Sequence, residues 1–161
     1  VKLYFFRHGL AEDAPMPDFD DFARRLTSKG IERTEAAGKV LNRLGVRPVR
    51  LYSSPRVRAR QTADILAKAM GVNVAVREEL NFGFSPHQLE ALVDGLKNDD
   101  EVMFVGHEPD LSATVSQLAG GGDVVMKKGG LARVDVGSDT PLRGALVWVL
   151  PPKLLDVIGE G

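Results

Sequence analysis

Leu3-Tyr4-Phe5-Phe6-Arg7-His8-Gly9 opens the chain with four consecutive apolar residues and closes on a polar triplet. A short apolar run without polar alternation reads as a strand buried on both faces, the pattern of parallel sheets covered by helices. Ligands of open α/β sheets bind beyond the carboxyl ends of the strands, so His8 is expected at that rim, exposed to substrate and not buried. Gly9 is expected to let the backbone turn sharply and approach a ligand closely. The same pattern returns in Val102-Met103-Phe104-Val105-Gly106-His107. Two strands therefore present two imidazoles at one rim.

Between these runs, strand and helix signals alternate. Ile31, Ala36, Val40, Leu41 and Leu44 recur at helical spacing, with Thr27 or Ser28 able to cap the start and Gly45 the stop, which predicts a helix over 28–44. Val49-Arg50-Leu51-Tyr52 reads as a second strand. Ser53-Ser54-Pro55 then starts a helix running to about Met70, with Gly71 as its stop. Val74-Ala75-Val76 is a third strand, followed by an irregular loop from Glu78 to Phe84. Ser85-Pro86-His87-Gln88 is a capping-box start for a helix expected to end near Lys97. A fourth strand at 101–105 leads to a helix that begins at Pro109 and Asp110 and stops at Gly120-Gly121-Gly122. Leu131 to Val136 and Ala145 to Leu150 are β-rich and able to pair. The alternation implies an α/β three-layer sandwich with a mostly parallel central sheet and helices on both faces. Pro15, Pro17 and four aspartates between Glu12 and Asp21 read as a loop over the site.

The 161 residues, 43% of them hydrophobic, suffice for one domain, residues 1–161, with a sizeable core. A net charge of −1 gives no global attraction to nucleic acid or an anionic membrane, so anion binding has to come from local clusters. The absence of cysteine excludes disulfides, thiolate zinc sites and cysteine nucleophiles. No apolar run approaches the roughly 20 residues of a membrane span, and the N-terminus lacks a secretory pattern. A cytoplasmic location is the expectation.

Ser53-Ser54-Pro55-Arg56-Val57-Arg58-Ala59-Arg60-Gln61-Thr62 lies at a strand-to-helix junction, where free N–H groups and the helix dipole attract phosphate. Arginines there add forked, charge-assisted donors. The three arginines cannot all face one point on a helix of 3.6 residues per turn, and Arg56 and Arg60 read as solvated surface charges. Arg7, His8, Arg58 and His107 together would form a pocket rich in positive donors around a nucleophile. Such a pocket suits phosphoryl transfer, which needs positioning and stabilisation of charge spread over three equatorial oxygens. A neutral imidazole nitrogen attacks phosphorus, and water hydrolyses the resulting phosphohistidine. Arginines supply the electrostatics, so neither a metal nor another cofactor is required.

Arg7-His8-Gly9, Ser54-Pro55 with Arg58, Ala59, Gln61 and Thr62, and Gly106-His107 resemble the histidine phosphatase superfamily, with its phosphoglycerate mutase-like fold, and within it the SixA-type phosphohistidine phosphatases. Leu26-Thr27-Ser28-Lys29-Gly30 and Lys127-Lys128-Gly129 look like further elements of that family, so the similarity spans most of the chain. The resemblance implies that His8 is the nucleophile and that Arg7, Arg58 and His107 bind and polarise the phosphoryl group. It also implies a substrate-binding part for Arg24, with Arg25 as the neighbouring alternative, and for Gly9.

Larger members of the family carry a glutamate general acid in the loop after the third strand. Here the corresponding position is Phe82, with Glu79, Glu12 and Glu108 as other candidates. A missing acid disfavours alkyl esters but matters less for phosphohistidine, which can leave as neutral imidazole when its other ring nitrogen is protonated. Only Arg77 to Asp100 separates the third and fourth strands, too short for a helical lid, so an open pocket is expected. The reading is a phosphohistidine phosphatase acting in signal transduction on a phosphohistidine protein such as a phosphotransfer domain. The rivals are a small-molecule phosphomonoesterase, a non-catalytic phosphate-binding module, and metal-dependent hydrolysis through His8, His107 and Glu108 or Asp110. His87 is expected to be an ordinary exposed helix residue, Phe82 and Phe84 to anchor their loop, and Lys127 and Lys128 to be solvated.

Overall fold

Strand β1 (Lys2–Arg7) sends its side chains alternately into two separate cores. Leu3 and Phe5 join one apolar cluster, Tyr4 and Phe6 the other, and all four are buried. Strand β4 (Glu101–Gly106) repeats this, with Val102 and Phe104 on the first side and Met103 and Val105 on the second. A strand buried on both faces leaves no position for polar residues, hence the unbroken apolar runs. The computed structural model describes residues 1–13 and 20–160. The stretch 14–19 of the expected loop, with Pro15, Pro17 and Asp18, lies outside the described residues.

β2 (Arg50–Ser53) runs parallel to β4 and to β3 (Val74–Val76), and β4 runs parallel to β1. β5 (Leu131–Val136) pairs antiparallel with β1 and with β6 (Gly144–Leu150). The sheet order is β3-β2-β4-β1-β5-β6. Helices α1 (Ser28–Arg43), α2 (Val57–Met70) and α5 (Pro152–Glu160) cover the face of Tyr4 and Phe6. Helices α3 (Pro86–Leu92) and α4 (Asp110–Leu118) cover the face of Leu3 and Phe5. This is the α/β three-layer arrangement the sequence implied, with two antiparallel strands at one edge. No described helix is long and apolar enough to cross a membrane.

Local chemistry fixes the helix ends. Thr27 Oγ1 accepts from Gly30 N at 3.0 Å to cap α1. A side chain at Gly30 would place its Cβ 2.2 Å from the Leu10 carbonyl oxygen, so glycine lets α1 start against the segment that follows His8. Ser85 and Gln88 form the expected capping box. Helix α3 stops at Leu92, short of Lys97; Val93 caps it and Gly95, with φ +77°, follows in the turn. Helix α5 was not anticipated; Pro152 at its first position is its sequence signal, and Leu155 anchors it in the core.

The register creates the site. Arg7 stands opposite Gly106, and Ser53 opposite Val105, so the next residues of three parallel strands, His8, His107 and Ser54, meet at the carboxyl rim.

Candidate active site

His8 is held by its backbone neighbours. Its N donates to the Gly106 carbonyl at 3.1 Å, extending the β1–β4 ladder past the strand end. Its Nδ1 lies 2.8 Å from the Gly9 carbonyl, which can only accept, so Nδ1 carries the proton and Nε2 keeps its lone pair. Gly9 N donates to Thr62 Oγ1 at 3.1 Å and is therefore engaged with the protein and not offered to substrate. Gly9 serves close packing instead of a sharp turn: a Cβ there would lie 2.9 Å from Thr34 Oγ1.

His107 faces His8 with ring centroids 5.3 Å apart, and its Nε2 lies 2.7 Å from Ser54 Oγ. Arg7 Nη1 donates to the Met126 carbonyl at 2.9 Å. Among the described residues, three buried side-chain polar atoms lack a hydrogen-bond partner, and two of them, Arg7 Nε and His107 Nδ1, belong to this cluster. Buried polar groups are ordinarily satisfied, so this concentration marks donors and acceptors reserved for something other than the fold. Gly129 N donates to the carbonyls of both Arg7 and His8, at 3.0 and 2.9 Å, and so ties the Lys127-Lys128 segment to the same place.

Arg58, the second residue of α2 and 3% exposed, donates from Nε to His8 Nε2 at 3.3 Å. Its Nη1 reaches the Asp21 carbonyl at 2.9 Å and Nη2 the Asp21 carboxylate at 3.3 Å. That carboxylate also accepts from Arg56 Nη1 at 2.7 Å and Arg24 Nε at 2.8 Å. Arg24 thus neutralises the acidic loop and holds it down, with a further bond to the Glu12 carbonyl at 2.9 Å, and does not touch the histidines. Arg25 is exposed. Arg56 is not a solvated charge: its guanidinium lies 4.0 Å from the Phe82 ring centroid and 5.6 Å from that of Phe22, and Nε donates to Asn81 at 2.7 Å. Arg60 is a surface charge, paired with Asp64 at 3.0 Å.

Phe82 is 55% exposed, yet its ring meets His107 edge-on at 5.1 Å. Phe84 is the loop anchor, buried among the core residues, and His87 is exposed as expected. The expectation of exposed imidazoles in an open pocket is overturned, because His8 and His107 are only 5% and 2% exposed. The turn Asp21–Ala23 and, from the short β3–β4 connection itself, Phe82 supply the cover. Glu108 is occupied with Ser112, accepting from its N and its Oγ, and Asp110 accepts from Gly83 N at 2.7 Å. No group of three or more His, Cys, Asp or Glu able to hold a metal ion occurs among the described residues.

Residues 3–82 match the histidine phosphatase superfamily, branch 1. An uncharacterized protein of Picosynechococcus sp. is 32% identical over 170 residues, covering 94% of this chain and 100% of the relative. The chain belongs to the histidine phosphatase superfamily. It is a hydrolase, a phosphatase of that superfamily. Its fold is that of the protein histidine phosphatase SixA complexed with tungstate, with TM-score 0.84, 24% identity, and coverage of 96% of this chain and 99% of the other. A SixA assigned in Agrobacterium tumefaciens gives TM-score 0.77 and 25% identity over 94% and 98% of the two chains.

In this histidine phosphatase the two imidazoles are electrostatically prepared to stay neutral. Burial pushes His8 down to about 3; the Gly9 carbonyl opposes this, and Arg58, Arg7 and Lys128 reinforce it. Burial also brings His107 to about 3, helped by His8, Arg58 and Arg56. Burial raises the Asp21 carboxyl, but Arg58, Arg24 and Arg56 outweigh it and hold the group below the usual carboxylate range, which makes it a permanent counter-ion. A nucleophilic lone pair is therefore available at neutral pH without a base.

Stability should report the same neutrality. An unfolded histidine takes up its proton near 6.5, whereas His8 and His107 resist until about 3. Between those values the unfolded chain binds more protons, so stability falls as pH falls. From about pH 7.5 to about pH 5.5 the two residues together should cost about 2–3 kcal/mol, readable by denaturant unfolding. His107→Gln should remove about half of this pH-dependent loss; an unchanged slope would mean that His107 is charged in the folded state.

Proposed function

We propose that the enzyme hydrolyses phosphohistidine on a protein, through a covalent phosphohistidine at His8. The Nε2 lone pair of His8 attacks phosphorus, forming the new P–N bond while the bond to the substrate's imidazole breaks. The proton stays on Nδ1, donated to the Gly9 carbonyl, and that hydrogen bond stabilises the imidazolium that develops. Arg7, Arg58 and His107 carry the phosphoryl oxygens, and Arg58 gives up its bond to His8 Nε2, which frees that lone pair, together with its contacts to Asp21. Water then attacks phosphorus, the P–N bond to His8 breaks, and inorganic phosphate leaves with neutral His8 restored.

The observation that carries the substrate choice is Phe82. An aromatic ring, not a carboxylate, packs on His107 at the place where larger relatives are expected to hold their acid. Glu79 and Glu12 are exposed, and Glu108 is engaged with Ser112. An alkoxide needs a proton in the transition state, whereas a phosphohistidine leaving group is neutral once its other nitrogen is protonated. The SixA structures, one a protein histidine phosphatase complexed with tungstate and the other assigned as a phosphohistidine phosphatase, support the same reading. A phosphotransfer domain is the fitting partner.

The expected result is a kcat/KM for phosphohistidine above that for an alkyl phosphate ester by about 10²–10⁴, the usual worth of general acid help. Phosphate release from both substrates, with and without a chelator, measures it. Preference for the ester would place a working acid in the site and make the enzyme a small-molecule phosphomonoesterase. Loss of turnover on chelation would revive the metal-dependent reading.

A further inference from the structure

Beside the catalytic cluster lies a groove of about 480 Å³ lined, among the described residues, by Arg7, Arg33, Lys127, Lys128 and Lys153 and by no acid. These cations come from separate parts of the chain: the end of β1, the middle of α1, the segment before β5 and the first turn of α5. Leu10, Pro151 and Pro152 complete its lining. Arg33 and the three lysines form no ion pair among the described residues, in a chain whose net charge is only −1. Gathering like charges in one groove is unfavourable by itself, and among the described residues no acid lines the groove to offset it. The amino end of α5 adds its partial positive charge to the same groove.

We infer that this groove docks an acidic segment of the phosphoprotein substrate, next to the phosphohistidine that enters at His8. Arg7 belongs to both the groove and the phosphate cluster, so the two are continuous. Lys128 already exerts its charge on His8 across that boundary. Three of the cations are exposed lysines on flexible stems, suited to a broad, mobile acidic surface. A small bisphosphate would instead be gripped by buried forked donors. The groove supplies what the covered phosphate cluster lacks, a recognition surface outside the reacting atoms.

This inference rests on the phosphohistidine reading above, and its test separates the two. Two phosphohistidine peptides, phosphorylated with phosphoramidate and identical except for aspartate or serine flanks, are compared with free phosphohistidine and para-nitrophenyl phosphate. The acidic peptide should be favoured over the neutral one by at least about tenfold in kcat/KM at low salt, mainly through KM. The preference should collapse between about 0.05 M and about 0.5 M salt. It should also collapse in the Lys127→Glu/Lys153→Glu variant, while free phosphohistidine is turned over as before. Equal turnover of the two peptides, with free phosphohistidine a good substrate, overturns the docking groove alone. A variant that slows free phosphohistidine equally also overturns it. If only the aryl ester is hydrolysed, the phosphohistidine reading fails and the groove's assignment falls with it.

Discussion

His8→Ala should abolish the phosphoenzyme and reduce kcat by at least about 10⁴, since deleting a nucleophile in a concerted catalytic unit costs up to about 10⁶. The structure gives three reasons for so large an effect. Nε2 is the unprotonated nitrogen because Nδ1 donates to Gly9, the imidazole is neutral at working pH, and Arg58 and His107 stand on either side of it. No other described side chain combines these properties: the second neutral histidine, His107, has no carbonyl on its Nδ1 to fix the tautomer, and its Nε2 lies against Ser54. Inorganic phosphate should still bind to the variant, because Arg7 and Arg58 remain. An acid-labile phosphate label on the wild-type protein, absent from the variant, is the measurement. A label or turnover surviving in His8→Ala would assign the covalent step to another residue.

The sequence carried the sheet and the rim because both depend on patterns within a few residues. An apolar run followed by Arg-His-Gly or Gly-His states both that a strand is buried and where it ends, and β1 and β4 prove to be neighbours whose register brings the two histidines together. The strands that pair antiparallel, β5 and β6, and the capping box at Ser85 were legible for the same local reason. A loop over the site was legible, but the contacts that close it were not, because they depend on distant partners. Asp21 meets Arg56 and Arg58 from 35 and 37 residues away, so nothing near Arg56 in the chain distinguishes it from the exposed Arg60. Arg24, Arg56 and Arg58 all pair with Asp21 and so neutralise the acidic loop together. Ser54 was seen as part of a motif, but its contact with His107 needs the β2–β4 register. Helix α5 was missed although its sequence is amphipathic and Pro152 marks its start; only Leu155 is buried.

Arg58→Ala should cost about 3–4 kcal/mol of transition-state stabilisation, a fall in kcat of about 10²–10³, which is the usual loss of one preorganised donor. The guanidinium reaches His8 Nε2 with Nε and the Asp21 carboxylate with its terminal nitrogens, so it spans the space between nucleophile and counter-ion where transferring oxygens gain charge. Burial pulls Arg58 below the ordinary guanidinium range and Asp21 opposes this, so the charge is kept in a poorly solvated place where each hydrogen bond counts for more. Because the donor strengthens its hold as charge spreads over the phosphoryl oxygens, the loss should fall on kcat more than on KM. Arg58→Lys should recover little, since an ammonium lacks the planar fork that serves Nε and the terminal nitrogens together. Arg60→Ala is the control: Arg60 is two residues away on the same helix, paired with Asp64 at the surface, and its removal should leave turnover unchanged. Equal losses in Arg58→Ala and Arg60→Ala would reduce the role of this helix to overall positive charge, and a KM-only defect in Arg58→Ala would make Arg58 a ground-state anchor.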